Sequence, residues 1–217
     1  MSTIVIIVGV LLIMGLIHFY SSLKEKERRA SFKREAEAMG LSCHDRLLQT
    51  DEIDFNVFPL ASRGRSQEST NSIVADSGEL RMVVFDFKYV TGSGKNKSVH
   101  RQSVMMASSD RLHLPEFTLT PESFWQRFAE FMTGKDIDFE EDPEFSKAFY
   151  LRSPSEQNVR NYMTPARRQA LLKYPQVYLE ARFQGFILYH PRSRLKVEEV
   201  KTFMENALGI YAALLEE

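Results

Sequence analysis

The hydrophobic pattern divides the chain into an apolar opening and a long remainder of mixed character. The first twenty residues, MSTIVIIVGVLLIMGLIHFY, contain no Asp, Glu, Lys or Arg, and their apolar side chains follow one another without a polar stripe. A helix over residues 3–20 would be roughly 27 Å long, close to the hydrocarbon thickness of a bilayer. Apolar character on all sides is typical of a helix that lies in lipid. The pattern therefore predicts a transmembrane anchor over residues 1–23, with residues 3–23 in contact with the lipid bilayer.

A cleaved signal peptide is the competing interpretation of the same segment. Such a peptide needs a positively charged start and a small-residue cleavage site after the apolar stretch. Neither feature is present. Only residues 1–3 precede the apolar run, which ends with the aromatic sequence HFY and is followed by the basic sequence SSLKEKERR. We therefore expect the segment to stay attached to the mature chain.

The residues that flank the apolar run predict its orientation. Six Lys or Arg residues lie between residues 21 and 40, whereas none precedes the apolar segment. Because basic residues are retained on the cytoplasmic side, the pattern predicts a single-pass protein of the cell (inner or plasma) membrane with a cytoplasmic C-terminal domain. The inverted topology, with the domain outside, stays open.

Residues 24–40 are predicted to form a helical juxtamembrane stalk. The segment is rich in helix formers, and its opposite charges recur at spacings of three and four residues. Gly40 is suited to end the helix. The remaining residues, 41–217, are numerous enough for one soluble domain with its own core.

Alternation of apolar and polar residues predicts two β-hairpins in this domain. The first covers residues 80–107, where MVVFDFKYV is followed by the turn TGSGK and a returning strand. The second covers residues 177–189, with Gln184 and Gly185 as its turn. Residues 55–80 contain short apolar islands between Ser, Gly and Asn, which favours short strands and loops.

Apolar residues at spacings of three and four predict three helices. The first has Thr120 as its N-cap and Pro121 in its first turn, and its stripe consists of Phe124, Trp125, Phe128, Phe131 and Met132. The second begins at Thr164 and Pro165. The third, from Leu195 to Leu215, is a long amphipathic helix. The predicted fold is therefore α+β: an N-terminal transmembrane helix and stalk, then antiparallel hairpins packed with helices.

Composition excludes some classes of protein but does not identify a function. The chain is 43% hydrophobic and 26% charged, with a net charge of −1 and a pI near 6.5. These values exclude a disordered chain, and the absence of a basic excess argues against a nucleic-acid partner. Cys43 is the single cysteine, so no internal disulfide forms.

One group of basic residues is a candidate binding surface. The sequence GSGK at residues 92–95 lacks the spacing of a phosphate-binding loop and fits a hairpin turn instead. Around this turn lie the residues that we call the basic hairpin: Lys88, Lys95, Lys97, His100 and Arg101. Such a group at a hairpin tip is suited to anionic lipid headgroups, and the alternative is a solvated hairpin without a ligand.

No catalytic, cofactor-binding or metal-binding residue is predicted. The acidic run from Asp136 to Glu144 lacks the glycine and terminal glutamate of a calcium loop, and its interleaved Ile137 and Phe139 predict the wet face of a strand. The histidines form no metalloprotease motif. Cys43 beside His44 is predicted to be an incidental thiol, since adjacency in sequence does not create a nucleophile.

Three segments resemble a known group of proteins. FDFKYVTGSGK, LPEFTLTPE and DIDFEEDPEFSKAFYLRSPSEQNVRNYMTP are similar to an uncharacterised bacterial family of small single-pass membrane-anchored proteins. The second half also resembles, more distantly, another domain of unknown function. The resemblance covers most of residues 55–217 and implies a bacterial origin and single-pass topology. It carries no activity, so no residue role follows from it.

Taken together, these patterns predict a membrane-anchored binding or scaffolding module with an unknown protein partner. Two alternatives stay open. One is a membrane-tethered enzyme, such as a hydrolase, whose site is assembled from scattered residues. The other is a sensor of anionic lipid surfaces that acts through the basic hairpin.

Overall fold

The N-terminal helix is continuous from the apolar segment into the predicted stalk. The computed structural model describes residues 2–47, 54–123 and 136–216. Helix α1 covers Ser2–Ala38 without a break, and between Ile6 and Ala38 it is long and apolar enough to cross a membrane. Gly40 follows at φ +69°, and the Leu41 amide donates to the Ala36 carbonyl at 2.8 Å. The helix therefore ends at the glycine that the sequence indicated.

A single eight-stranded antiparallel sheet forms the centre of the domain. Its spatial order is β1-β2-β3-β4-β8-β7-β5-β6. The strands are β1 (Ser42–His44), β2 (Arg65–Asp76), β3 (Arg81–Thr91), β4 (Ser98–Ser108), β5 (Leu114–Pro121), β6 (Phe149–Arg152), β7 (Tyr178–Phe183) and β8 (Gly185–Tyr189). The observed α+β fold agrees with the predicted class.

Both predicted hairpins are present. In the first, β3 and β4 pair without interruption from Arg81–Ser108 to Thr91–Ser98. In the second, Arg182 pairs with Gly185, so the connecting residues are Phe183 and Gln184. The turn is thus one residue earlier than predicted, and Phe183 rather than a glycine takes a positive φ of 53°.

Residues 55–80 form a longer strand than expected. Two 3₁₀ turns, Phe55–Val57 and Pro59–Ser62, precede β2, which has 12 residues and pairs with β3. The polar first half of β2 is exposed, and its pairing with β3 extends the strand across residues whose composition favoured a loop. A bulge interrupts this pairing between Thr70 and Ile73.

Residues 122–123 are helical, and four longer helices follow among the described residues: α2 (Pro143–Ala148), α3 (Glu156–Tyr162), α4 (Pro165–Leu171) and α5 (Val200–Leu215). Thr164 caps α4 as predicted, because its Oγ1 accepts a hydrogen bond from the Arg167 amide. Helix α5 begins five residues later than predicted, after the 3₁₀ turn Val197–Glu199.

Two local predictions in the middle of the chain are wrong. Thr120 is not a helix cap: it lies in β5 and pairs with Tyr150, because β6 extends the ladder to Pro121. The apolar stripe predicted from Phe124 to Met132 lies outside the described residues. The acidic run is not a strand, although Ile137 and Phe139 are buried.

The sheet is covered on both faces. On one face, the C-terminal part of α1 and helices α3, α4 and α5 enclose the larger core. On the other face, the 3₁₀ turns at residues 55–62 cover a second cluster of apolar side chains. The predicted stalk is therefore helical but not solvated on all sides, since Phe32 and Ala36 are fully buried against the sheet.

Candidate functional site

One ion pair fixes α1 to the centre of the sheet. The guanidinium of Arg28 donates to both oxygens of Asp86, with Nε–Oδ2 at 2.6 Å and Nη2–Oδ1 at 2.8 Å. A third donor, Nη1, reaches the Leu195 carbonyl at 2.9 Å before α5 begins. The guanidinium also stacks over the ring of Phe32, 4.6 Å from its centroid. Arg28 thus joins α1, β3 and the segment before α5.

Further groups hold Asp86 in place. Ser103 Oγ donates to Asp86 Oδ1 at 2.8 Å, and Asn71 Nδ2 donates to Oδ2 at 3.0 Å. Arg194 lies 3.7 Å from Asp86 and bonds Glu25 of α1 at 2.9 Å. Asp86 therefore accepts hydrogen bonds from Arg28, Asn71 and Ser103. This network sets the spacing between α1 and the sheet.

The bulge in β2 places Asn71 beside this network. Asn71 and Ser72 together oppose one residue of β3, and Asn71 takes φ +55°, a left-handed conformation that Asn tolerates better than most residues. The side chain is 3% exposed. Its Oδ1 accepts no hydrogen bond from the described part of the chain.

Beyond the network, α1 and the sheet separate to form a cleft of about 360 Å³, which we call the α1 cleft. The helix contributes one wall, and β2, β3 and β4 contribute the other. The polar and charged lining residues include Ser22, Glu25, Lys26, Arg29, Glu68, Asn71, Asp86, Lys88, Arg101 and Arg194. The lining contains five Lys or Arg residues and three Asp or Glu residues, so it is net positive.

Neighbouring side chains neutralise only part of this charge. Lys88 bonds Glu68, Arg194 bonds Glu25, and Arg29 lies 3.3 Å from Asp45 outside the lining. Lys26 and Arg101 have no ion-pair partner among the residues that the structure describes. Two cations are therefore left to face the cleft, which favours an anion there.

The five residues of the predicted basic hairpin lie in three different places: two line the α1 cleft, two are at the turn, and His100 is on the opposite face of the sheet. Lys88 and Arg101 are directly opposite each other on β3 and β4 and both line the α1 cleft. Lys95 and Lys97 are exposed at the hairpin turn. Gly92 holds this turn at φ +67°, where a Cβ would collide with the carbonyl of Asn96.

His100 does not share a surface with the other four residues. Alternation along β4 places it on the opposite face of the sheet, where it is 6% exposed and its ring stacks on Tyr89 at 4.7 Å. One ring nitrogen lies 2.7 Å from Thr91 Oγ1. Burial lowers the pKa of His100, so the neutral ring is favoured near pH 7.

A second buried polar group holds the 3₁₀ turns on the other face. Glu180 accepts hydrogen bonds from the Leu60 amide at 2.9 Å and from the Tyr189 hydroxyl at 2.6 Å, and Arg63 lies 3.5 Å away. Burial raises the pKa of the Glu180 carboxyl. Because these partners are main-chain and core groups of the fold, the arrangement serves to fix residues 55–63 to the sheet.

The other candidates from the sequence have structural surroundings. Asp136 accepts from the amides of Ile137 and Leu151, and Asp142 caps α2 while pairing with Arg168 at 2.8 Å. No group of three or more metal-ligating side chains occurs among the described residues. Burial raises the pKa of the Cys43 thiol, which is the opposite of what an activated nucleophile needs.

Sequence reasoning missed the residues that build the α1 cleft. Arg28, Asn71 and Arg194 come from three separate regions and meet only when α1 packs on the sheet. One local signal was available. Asp86 is the single acidic residue in the apolar strand MVVFDFKYV, and a lone carboxylate in a buried strand requires a partner.

Comparison with known proteins shows the fold. No family model and no curated protein matches the sequence. Among solved structures, the chain is similar to the crystal structure of the mycobacterial trehalose monomycolate transport factor A, TtfA, at a TM-score of 0.53 and 8% identity. The match covers 86% of this chain and 93% of that chain. At this identity the likeness is one of fold, and it extends over nearly the whole of both chains.

Proposed function

We propose that the chain is a membrane-anchored, non-catalytic binding module whose domain is held close to the bilayer, with the turn of the basic hairpin at the lipid surface. The observation that carries the proposal is the continuity of α1. Its first part exposes apolar side chains, from 48% for Val8 to 68% for Leu16, whereas Phe32 and Ala36 of the same helix are buried in the domain core. One continuous helix thus connects the apolar segment directly to the sheet.

The hairpin extends along α1 toward the apolar segment. Arg28 contacts Asp86, while Ser22 and Lys88 both line the α1 cleft. The direction toward the N-terminus of α1 is therefore the direction toward the C-terminus of β3. From Lys88 to Gly92 the strand advances roughly 13 Å. Even when inclined by about 60° to the helix axis, it covers roughly 6 Å, the rise from Ser22 to His18. At such an inclination, we expect the turn to lie at the level where the apolar segment ends.

The exposed residues of the turn suit this position. Lys95 and Lys97 are exposed, and Val99 beside them is 44% exposed. Basic residues gain about 1 kcal/mol each near an anionic membrane surface. An exposed apolar side chain next to them adds contact with the boundary of the acyl region.

Two further observations support a binding role. Among the residues placed by the structure, the lining of the α1 cleft contains neither histidine nor cysteine, and its carboxylate Asp86 accepts hydrogen bonds from Arg28, Asn71 and Ser103. The fold is shared with a protein described as a transport factor rather than as an enzyme. Both favour recognition over a reaction.

Depth measurements on the full chain test the proposal. In a Cys43→Ser background, Val99→Cys and the control Leu208→Cys carry a small fluorophore in nanodiscs that contain headgroup spin-labelled lipid. Val99 and Leu208 are equally exposed, at 44%. Leu208 lies in α5 close to Tyr211, whose hydroxyl bonds Ser109 just after the end of β4 that is opposite to the hairpin turn. Leu208 is therefore expected to be far from the membrane. We expect strong quenching at residue 99 and little at residue 208.

Charge and salt provide the second part of the test. Anionic lipid should increase quenching at residue 99, and high salt or the pair Lys95→Glu and Lys97→Glu should reduce it. Equal quenching at residues 99 and 208 in anionic nanodiscs would contradict the proposed orientation.

A further inference from the structure

The α1 cleft has the features of a site for one lipid headgroup. We propose that it binds a phosphodiester headgroup that carries a free hydroxyl, such as that of phosphatidylglycerol, with the phosphate at Lys26 and Arg101 and the hydroxyl at Asn71 Oδ1. The inference rests on the proposed membrane anchoring, because it takes the ligand from the bilayer that surrounds the apolar part of α1. It adds a specific site to the non-specific contact of the hairpin turn.

The position of the cleft favours a lipid over a soluble ligand. Ser22, Glu25 and Lys26 line it, and the apolar run of α1 extends to Leu23, which is 46% exposed. The cleft therefore begins within one turn of the end of the apolar segment. A lipid packed against α1 brings its phosphate to this level without leaving the membrane.

The charge of the cleft suits a single phosphate. Lys88, Arg194 and Arg29 are paired with Glu68, Glu25 and Asp45. Within the part of the chain that the structure describes, the lining cations without an ion-pair partner are Lys26 and Arg101, one on each wall. One phosphodiester has a single negative charge and several acceptor oxygens. Binding it between these side chains satisfies both cations with charge-assisted hydrogen bonds.

Asn71 adds the requirement for a hydroxyl. Its Nδ2 donates to Asp86, which fixes the orientation of the amide and leaves Oδ1 as a pure acceptor. That oxygen is buried, belongs to a residue of the cleft lining and accepts nothing from the described residues, and leaving a buried acceptor unpaired is unfavourable. A headgroup hydroxyl supplies the missing donor, whereas a headgroup without one does not.

The test compares matched lipids on the full chain. Purified protein in mild detergent is titrated with phosphatidylglycerol, phosphatidylethanol or phosphatidylcholine, and bound lipid is counted by native mass spectrometry. Phosphatidylethanol has the same charge as phosphatidylglycerol but no hydroxyl. We expect phosphatidylglycerol to bind at least about fivefold more tightly than phosphatidylethanol, and phosphatidylcholine to bind weakest.

Three variants assign the roles of the residues. Arg101→Gln and Lys26→Gln should each weaken phosphatidylglycerol binding about fivefold, since each removes one cation. Asn71→Gly should abolish the preference for phosphatidylglycerol over phosphatidylethanol; glycine accepts the positive φ of residue 71, and thermal unfolding checks that the fold is intact. The control pair Lys147→Gln and Lys201→Gln removes two exposed lysines that belong neither to the α1 cleft nor to the hairpin turn, and it should leave lipid counts unchanged.

Two results would overturn the site. One is equal binding of phosphatidylglycerol and phosphatidylcholine by the wild-type chain. The other is displacement of the lipid by glycerol 3-phosphate at equal concentration, which would assign the cleft to a soluble anion. Either result leaves the depth measurement at residue 99 unaffected, so failure of the headgroup site is distinguishable from failure of the anchored orientation.

Discussion

Arg28 in the N-terminal helix and Asp86 in the central strand β3 form a two-point ion pair across the boundary between helix and sheet. The side chains are 13% and 5% exposed, and 58 residues separate them in the sequence. The pair lies a few residues beyond the apolar segment. The pair therefore fixes the position of the sheet relative to the apolar segment of α1.

Removing the cation of this pair is expected to destabilise the domain. Arg28→Ala leaves the buried Asp86 with only Asn71, Ser103 and the more distant Arg194, and breaking a buried pair in this way costs about 3–5 kcal/mol of unfolding free energy. Urea unfolding of the full chain in detergent measures the change. Lys33→Ala is the control, because its pair with Glu37 is exposed and contributes about 0–1 kcal/mol at most. Equal stability of the two variants would contradict the structural role of the pair.

The packing of Phe32 makes a second prediction about the same helix. Phe32 is completely buried, so Phe32→Ala should lower the unfolding free energy by about 3–5 kcal/mol and increase hydrogen exchange in residues 24–38. Phe19→Ala removes the same ring from a position that is 62% exposed. That control should leave the domain's unfolding free energy within about 0.5 kcal/mol of wild type. A helix that was only a solvated stalk would show no difference between the two.

The sequence predicted those parts of the fold that depend on near neighbours. Both hairpins, the cap at Thr164 and the C-terminal amphipathic helix follow from alternation or from spacings of three and four residues. The sheet order does not, because β4 pairs with β8 and β5 lies between β6 and β7. Such pairings join segments far apart in sequence, and no local pattern encodes them.

The candidate site likewise has parts that follow from local sequence and parts that depend on tertiary packing. That Lys88 and Arg101 are close together follows from the hairpin register alone. Their meeting with Lys26 depends on how α1 packs, which the charge pattern of a solvated stalk did not reveal. Proximity in sequence groups His100 with them, although strand alternation places it on the opposite face. The partner requirement of Asp86 was the signal that pointed to a contact with a distant cation.

Glu180 predicts a pH dependence of stability. Because burial raises its pKa in the folded state, the native chain retains a proton that the unfolded chain loses above about pH 4.3. The stability from this group is therefore complete below that pH and falls as the pH rises through the folded pKa. We expect Glu180→Gln to remove this fall, so that its unfolding free energy improves relative to wild type between about pH 5 and pH 8.

The control for this titration has the opposite sign. The pKa of the exposed Glu68 is lowered, chiefly by its hydrogen bond with Lys88, so its contribution is present above about pH 4.3 and lost in acid. Glu68→Gln should therefore be slightly less stable than wild type by a constant amount above about pH 5, and the two curves should converge in acid. Parallel curves for wild type and Glu180→Gln from pH 5 to pH 8 would show that Glu180 ionises as in the unfolded chain.

The turn of the second hairpin offers a stabilising substitution. Phe183 has φ +53° and is 63% exposed, so an L side chain takes a strained conformation there with little burial in return. Phe183→Gly should raise the unfolding free energy by about 1 kcal/mol, measured by thermal or urea unfolding. Gln184→Gly is the matched control, since Gln184 has no positive φ and gains nothing from glycine. Loss of stability in Phe183→Gly would mean that the ring contact with Arg182, 5.2 Å from its centroid, outweighs the backbone strain.

Sidedness is the last prediction, and it determines which lipid leaflet the basic hairpin meets. The basic residues that follow the apolar segment predict a cytoplasmic domain, where the leaflet is anionic and attracts the exposed Lys95 and Lys97. In a Cys43→Ser background, a membrane-impermeant maleimide should label Ser2→Cys but not Leu208→Cys in intact cells. Both should be labelled after the membrane is permeabilised. Labelling of residue 208 in intact cells would place the domain outside, and the cationic surfaces would then face the outer leaflet.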